Sequence, residues 1–390
     1  MRYAGLVIGM LLYLQESVAR AYIKIKYLPR THIIIVIFAV FAIFIILYSF
    51  LLVYQTNTNK IVISINKAVT SINEVPARLN CEYYIDLNKY FLLIRFTIDD
   101  VNKLDKIIIR INSSCVANIA NVGIFSESTI LRTGYNELTI PRWFFNCSNP
   151  TGPLTFEFFS KRYQKVQAIF HNMTIHPYTL PKGIVVFTFD DGDPSVYTIA
   201  KPALEKHGWK GVVFIITKGT PWQFWKELYD NGWDIGSHTM THRRLTKLSE
   251  KLLTYEINES AKVMIEHGIT PFYFAYPYGD WNETVIEKVK KVYKMGFTII
   301  PRINPYPFIS PYKIYRITAD GRNISEVEAL VDKAEKEKGV LILLYHKITE
   351  TKQPGYWSKE EFENLLEYLE NKRESIEVLT ISELLEKYPS

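Results

Sequence analysis

Cysteine is scarce in this chain, with three residues in 390, Cys81, Cys115 and Cys147, and no Cys-x-x-Cys pair. That spacing excludes a zinc ribbon or a dithiol redox centre. No His-Glu-x-x-His occurs, which removes the helix-borne motif of zinc peptidases. Low-complexity tracts and internal repeats are also missing, which argues against a solenoid or a disordered tail. The formal charge of +6 is concentrated at the start. Residues 1–31 carry Arg2, Arg20, Lys24, Lys26 and Arg30 against Glu16, leaving about +2 for the remainder. A chain with so little excess positive charge has no nucleic-acid footprint, so no nucleic-acid partner is expected.

One long apolar run is present. Ile33 to Val53 contains no charged residue, enough to cross a hydrocarbon core of ~30 Å. The basic residues precede it, which predicts a cytoplasmic N-terminus and an exterior remainder. The expectation is a single-pass cell-membrane protein with a cytoplasmic basic segment (1–31) and an anchor (32–54). Residues 55–79 read as a stalk: Ile61, Ile65, Ala68, Ile72, Val75 and Leu79 follow heptad spacing, the pattern of a short helix capable of weak self-association. Outside a cell, one disulfide among the three cysteines is expected, with the pairing left open. Six N-x-S/T sequons, at Asn112, Asn146, Asn172, Asn258, Asn282 and Asn323, fit a glycoprotein.

Residues 80–180 read as β-rich segments broken by Asn, Ser, Gly and Pro, including Phe91–Phe96, Lys106–Ile111, Glu137–Ile140, Leu154–Phe158 and Val166–Ile175. Short strands with such punctuation predict a β-sandwich. It serves as a spacer or binds sugar. From 181 to 390, strands and amphipathic helices alternate, which predicts a parallel sheet wrapped by helices.

Four motifs lie in that second half. Thr188-Phe189-Asp190-Asp191-Gly192 ends an apolar strand, and Ser237-His238-Thr239-Met240-Thr241-His242 places two imidazoles four residues apart. Phe274-Ala275-Tyr276-Pro277-Tyr278-Gly279 is an aromatic loop stiffened by proline, and Leu341 to His346 is an apolar strand ending in histidine. One carboxylate and two histidines make a three-ligand set that leaves room for water, the arrangement of catalytic zinc. Asp191, His238 and His242 are therefore the candidate ligands, for Zn²⁺ or another divalent transition metal such as Co²⁺ or Ni²⁺. Asp190 is the candidate general base, and His346 the candidate general acid.

In this order the motifs resemble the polysaccharide deacetylases, carbohydrate esterase family 4, over residues 182–388. The resemblance implies a distorted (β/α)7 barrel and hydrolysis of N-acetyl groups on amino-sugar residues of a glycan. It implies that the backbone N–H of Tyr278 meets the developing oxyanion, that Pro277 shapes that loop, and that Leu344 lines the acetyl pocket. Many members carry arginine where this chain has Ala275. The Phe-Ala-Tyr-Pro-Tyr-Gly branch takes the cation from elsewhere, which implies Arg316, with Arg302 as second choice. Trp222, Trp225, Trp281 and Trp357 are available as sugar-stacking walls, and none is assigned. The alternatives are an O-acetyl esterase on a polysaccharide and a silent glycan-binding cell-envelope protein. The retention of Asp190, Asp191, His238, His242 and His346 favours an enzyme.

Overall fold

A computed structural model describes residues 61–72, 76–111, 115–120, 131, 133–145 and 147–389. The apolar run Ile33–Val53 lies outside them. Among the described residues no helix is long and apolar enough to cross a membrane.

The first half is antiparallel. Its strands are β1 (Ile61–Ile72), β2 (Ala77–Asp86), β3 (Tyr90–Ile98), β4 (Leu104–Ile111), β5 (Cys115–Ala120), β6 (Gly134–Ile140), β7 (Thr151–Ser160) and β8 (Lys165–Pro177). They form two four-stranded sheets, ordered β1-β8-β3-β6 and β2-β7-β4-β5. Alternate residues from both sheets enter one core, Leu92, Ile94, Phe96, Phe170 and Met173 from the first, Ile107, Ile109, Phe156 and Phe158 from the second. Phe158 stands edge-on to both Phe96 and Phe170 across the two sheets, at 5.9 and 5.2 Å between centroids.

The helical stalk expected across residues 55–79 is not formed where the structure describes it. Ile61–Ile72 is a strand that pairs along its length with β8, and Ala77 onward pairs with β7. β-Branched residues lose rotamer freedom in a helix and fit a pleated surface well. Ile61, Val62, Ile63, Ile65, Val69, Thr70 and Ile72 outweigh the heptad spacing. Sheet structure therefore starts near residue 61, not 80. Cys115 bonds to Cys147, and Cys81 is a buried thiol.

The second half winds parallel strands with helices outside. Its principal strands are β9 (Gly183–Phe189), β10 (Val212–Ile215), β11 (Asp234–Ser237), β12 (Tyr273–Ala275), β13 (Met295–Phe297), β14 (Ile317–Thr318) and β15 (Val340–Tyr345). Spatial order is β13-β12-β11-β10-β9-β15-β14. A single parallel bridge links Phe297 of β13 to Ile314, just ahead of β14, and the parallel sheet is curled into an incomplete barrel. Two small strands, β16 (Ile348–Thr349) and β17 (Trp357–Ser358), pair with each other, and β18 (Ile376–Val378) flanks the start of β9. β9, β10, β11 and β15 are buried on both faces, as strands are in a sheet covered on each side. Ile184, Val186, Val212, Phe214, Ala275, Phe297 and Ile342 fill the inside. Val185, Phe187, Phe189, Val213, Ile215, Leu341 and Leu343 face the helices.

The helices are α1 (Lys201–Lys206), α2 (Trp222–Asp230), α3 (Glu250–Thr254), α4 (Ser260–Glu266), α5 (Glu283–Val289), α6 (Ile324–Glu337), α7 (Lys359–Glu370) and α8 (Ile381–Lys387). None lies between β13 and β14. That connection is met instead by β6 of the antiparallel half, where Glu137 accepts from Ser310 at 3.3 Å and lies 3.9 Å from the Lys313 ammonium. Arg142 pairs with Glu337 at 2.9 Å, a second tie between the halves.

The cysteine arrangement has a direct check. Thiol titration of the native protein should find no rapidly reacting group, because Cys81 is buried. Unfolding without reductant should release one thiol per chain, and adding reductant should raise the count to three.

Candidate active site

The even-numbered residues of β9 point into the barrel, and Asp190 continues that register beyond the last strand residue. Asp191 would point away if the strand ran on. Instead its backbone turns left-handed, at φ 70°, and both carboxylates reach the same imidazole. His238 Nε2 lies 3.7 Å from Asp190 Oδ2 and 3.6 Å from Asp191 Oδ1. Thr239, His242 and Tyr278 also take positive φ values of 70°, 60° and 58°. Such conformations cost about 1–3 kcal/mol each outside glycine and persist only where surrounding contacts over-determine them.

β11 delivers His238 to the inner face. Its neighbour Gly236 permits this, since a Cβ there would lie 2.6 Å from the Phe214 ring and 2.9 Å from the Tyr273 carbonyl oxygen. His238 Nδ1 is 2.9 Å from the Ala275 carbonyl oxygen. A carbonyl only accepts, so Nδ1 carries the proton and Nε2 presents a lone pair. Burial holds His238 below the ordinary imidazole range, against the opposing pull of Asp190.

Three lone-pair atoms therefore converge. His242 Nε2 lies 3.2 Å from His238 Nε2 and 3.5 Å from Asp191 Oδ1. Asp191 Oδ1 is buried and has no hydrogen-bond partner. Zinc bonds of ~2.0–2.1 Å place tetrahedral ligands about 3.4 Å apart, so these separations fit one face of a tetrahedron. Among the described residues this is the one group with metal-ligating geometry. The residues fit a divalent cation, which Asp191, His238 and His242 would hold.

Asp190 has a different partner. The Arg316 guanidinium grips it with two hydrogen bonds, 2.6 Å to Oδ1 and 2.9 Å to Oδ2, and is itself fully buried. Arg316 Nε donates to the Thr298 carbonyl at 3.1 Å, and Phe214 lies under the guanidinium at 5.1 Å. Burial alone would raise the Asp190 carboxyl. Arg316, and then His238, hold it below the usual carboxylate range. Arg302 is elsewhere, stacked over Phe144 at 4.2 Å.

His346 follows β15, and its ring is partly open to solvent. Asp320 Oδ2 accepts from both its Nδ1, at 2.6 Å, and its backbone N–H, at 3.0 Å. That hydrogen bond, opposed by burial and aided by Asp190, raises the His346 pKa above the ordinary value. Leu344 is buried inside the barrel in register with Thr188. Tyr278 lies between the His242 ring, at 4.6 Å, and the Arg244 guanidinium, at 4.4 Å. Pro277 is buried in the tight turn before it. Trp225, Trp281 and Trp357 are buried, and Trp222 stacks on His267 at 4.0 Å. None of the four is an open sugar platform.

Asp320 is the principal site residue that sequence reasoning missed. Its signal was Asp-Gly one residue past the short strand β14, the same spacing by which Asp191-Gly192 follows β9.

These features define a parallel (β/α) barrel with a two-histidine, one-carboxylate centre at the C-terminal ends of its strands. Residues 178–299 match the family profile described as polysaccharide deacetylase, which supports assigning this part of the chain to that family. It is 35% identical over 127 residues to YxkH of Bacillus subtilis (strain 168), a protein assigned to the polysaccharide deacetylases, covering 30% of this chain and 45% of that one. It is 29% identical over 153 residues to a poly-β-1,6-N-acetyl-D-glucosamine N-deacetylase of Staphylococcus aureus (strain MSSA476), covering 32% and 53%. The chain thus spans about half the length of the curated relatives it matches. A family 4 acetyl xylan esterase from Clostridium thermocellum, solved with a cobalt ion, overlaps 52% of this chain and 91% of its own, at 18% identity and a TM-score of 0.40.

Replacing Arg316 by Met should expose the cost of the Asp190 charge. Breaking a buried pair on one side typically costs 3–5 kcal/mol, about what denaturant unfolding at neutral pH should record. In the native protein the depressed Asp190 pKa contributes stability above the unfolded carboxyl value of ~3.9, lost as pH falls below it. In Arg316→Met that carboxyl is raised instead, so the deficit should shrink as pH is lowered from 7 toward 4. A deficit independent of pH would remove the charge from the explanation.

Proposed function

We propose that this protein is a metal-dependent hydrolase that removes N-acetyl groups from amino-sugar residues of a glycan. The observation that carries the reading is the adjacency of three converging lone pairs to a carboxylate held ionised by Arg316. The name of the Staphylococcus aureus relative, a deacetylase of an N-acetylglucosamine polymer, supports the same substrate class. A divalent ion at Asp191, His238 and His242 would supply Lewis acidity and a water acidic enough to lose a proton near neutrality.

The chain's own residues do the rest. Asp190 stays ionised at neutral pH and is placed to accept a proton. Its bidentate partner fixes the carboxylate plane, so the basic oxygen does not wander. The amide nitrogen leaves only as an amine, which requires a proton, and His346 holds one because Asp320 stabilises the imidazolium. The Tyr278 N–H, in a turn locked by Pro277 and by ring contacts on both sides, is the donor for the developing oxyanion. Leu344 offers an apolar wall for the acetyl methyl.

The apolar run Ile33–Val53, with basic residues before it and sequons after it, supports a membrane-anchored enzyme whose catalytic region is extracellular.

Acetate release from N-acetylglucosamine oligomers tests the reaction. Release is expected from the purified protein, to stop with chelator and to return with zinc. No release from N- or O-acetylated glycans under any metal would overturn the reading. The acid is tested by Asp320→Asn. Loss of the carboxylate lowers the His346 pKa, so the limb on which turnover falls with rising pH should move to lower pH. An unmoved limb would take the proton-donor role from His346.

A further inference from the structure

We propose that Glu256, presented by a π-turn in the helix behind the site, is the positioning residue that sets the two-histidine loop for metal. The proposal rests on the reading of Asp191, His238 and His242 as a metal centre.

The π-turn Tyr255–Glu259 interrupts the helix between α3 and α4. Wider turns of this kind rotate side chains out of the ordinary helical register and recur at functional sites. Glu256 is 2% exposed, an unusual depth for a carboxylate unless it is hydrogen-bonded. Its oxygens take the Thr241 backbone N–H at 2.8 Å and the Thr241 hydroxyl in a short bond. Its own carbonyl accepts from the Met240 N–H at 3.2 Å. Residues 240 and 241, the middle of the span between the histidines, are thus tied to one glutamate. Arg243 lies 3.8 Å from the same carboxylate and offsets its charge.

The ends of the loop are tied as well. The Ser237 and Ser260 hydroxyls share a 2.5 Å bond, and the Thr239 N–H donates to Ser237 Oγ at 3.0 Å. The His242 N–H donates to Thr239 Oγ1 at 2.9 Å. The two left-handed residues, Thr239 and His242, bracket Thr241. A His-x₃-His spacing on a helix needs no such support, because the helix itself sets the separation. Here the two imidazoles are brought to 3.2 Å by a kinked loop. Without Glu256, Thr241 loses both partners and the loop is free to relax toward ordinary φ values, which carries His242 away from His238. Outer partners of metal ligands typically set affinity by about 10–100-fold.

Zinc affinity of the full-length protein, read by competition with a chromogenic chelator, tests this without reference to turnover. Glu256→Ala should weaken zinc binding about 10–100-fold. Glu256→Gln, which still accepts from the Thr241 N–H, should recover part of that loss. Thr241→Val removes only the hydroxyl bond and should weaken binding less. The double variant Glu256→Ala/Thr241→Val should bind no more weakly than Glu256→Ala, since both act through one contact. Should Glu256→Ala fail to fold, Thr241→Val and Glu256→Gln carry the test. Melting of the zinc-free proteins separates positioning from bulk stability. A lowered melting temperature with unchanged zinc affinity overturns the proposal, as do additive losses in the double variant. A wild-type protein that binds no zinc overturns the metal-centre reading and this one with it. Zinc bound equally by wild type and Glu256→Ala overturns only the role of Glu256.

Discussion

The buried pair of Asp190 and Arg316 is the constraint on which the site depends. A carboxylate beside an apolar barrel core would ordinarily take up a proton or reach for water. Arg316 prevents both by meeting its two oxygens in the plane of the guanidinium, a geometry that lysine cannot supply. The consequence passes to Asp191. Because Asp190 is committed inward, its neighbour has to turn through a left-handed backbone to face the histidines, and Gly192 then releases the chain toward α1. In the proposed mechanism base and ligand are separated by one peptide bond, and the bidentate contact of Arg316 with Asp190 keeps their roles apart.

The origin of that arginine explains an irregularity of the barrel. Arg316 stands at the end of the β13–β14 connection, where no helix covers the sheet. Arg316, immediately before β14, reaches inward past the Thr298 carbonyl and the Phe214 ring to meet Asp190. The missing helix is compensated by the antiparallel half, whose β6 places Glu137 against Ser310 and Lys313. The two halves therefore meet on the connection that leads to Arg316.

Much of this was legible in the sequence, and the exceptions have physical causes. Strands buried on both faces, such as Ile184–Phe189 and Leu341–Tyr345, announce themselves as apolar runs, and the motifs sit at their ends where a barrel gathers them. Arg316 was implied by resemblance, and the structure supplies its contact with Asp190. Asp320 was not found, because a single aspartate after a two-residue strand carries no periodic signal. The π-turn at Glu256 was hidden for another reason: Lys251–His267 reads as an unbroken amphipathic helix, and one inserted residue barely disturbs that pattern. The stalk was misread because the β-branched residues of Ile61–Ile72 favour an edge strand paired with β8 over the helix that heptad spacing suggests. Cys115, at the start of β5, and Cys147, in the segment before β7, become partners only in the folded chain, an arrangement that spacing does not encode.

The separation of base from ligand is tested most directly by where a metal sits. Crystals grown with zinc, measured at wavelengths flanking its absorption edge, should show one strong anomalous peak per chain. That peak is expected about 2.0–2.2 Å from His238 Nε2, His242 Nε2 and an oxygen of Asp191, with Asp190 still joined to Arg316. A peak that draws Asp190 into direct coordination, or one bound away from these residues, would contradict the account.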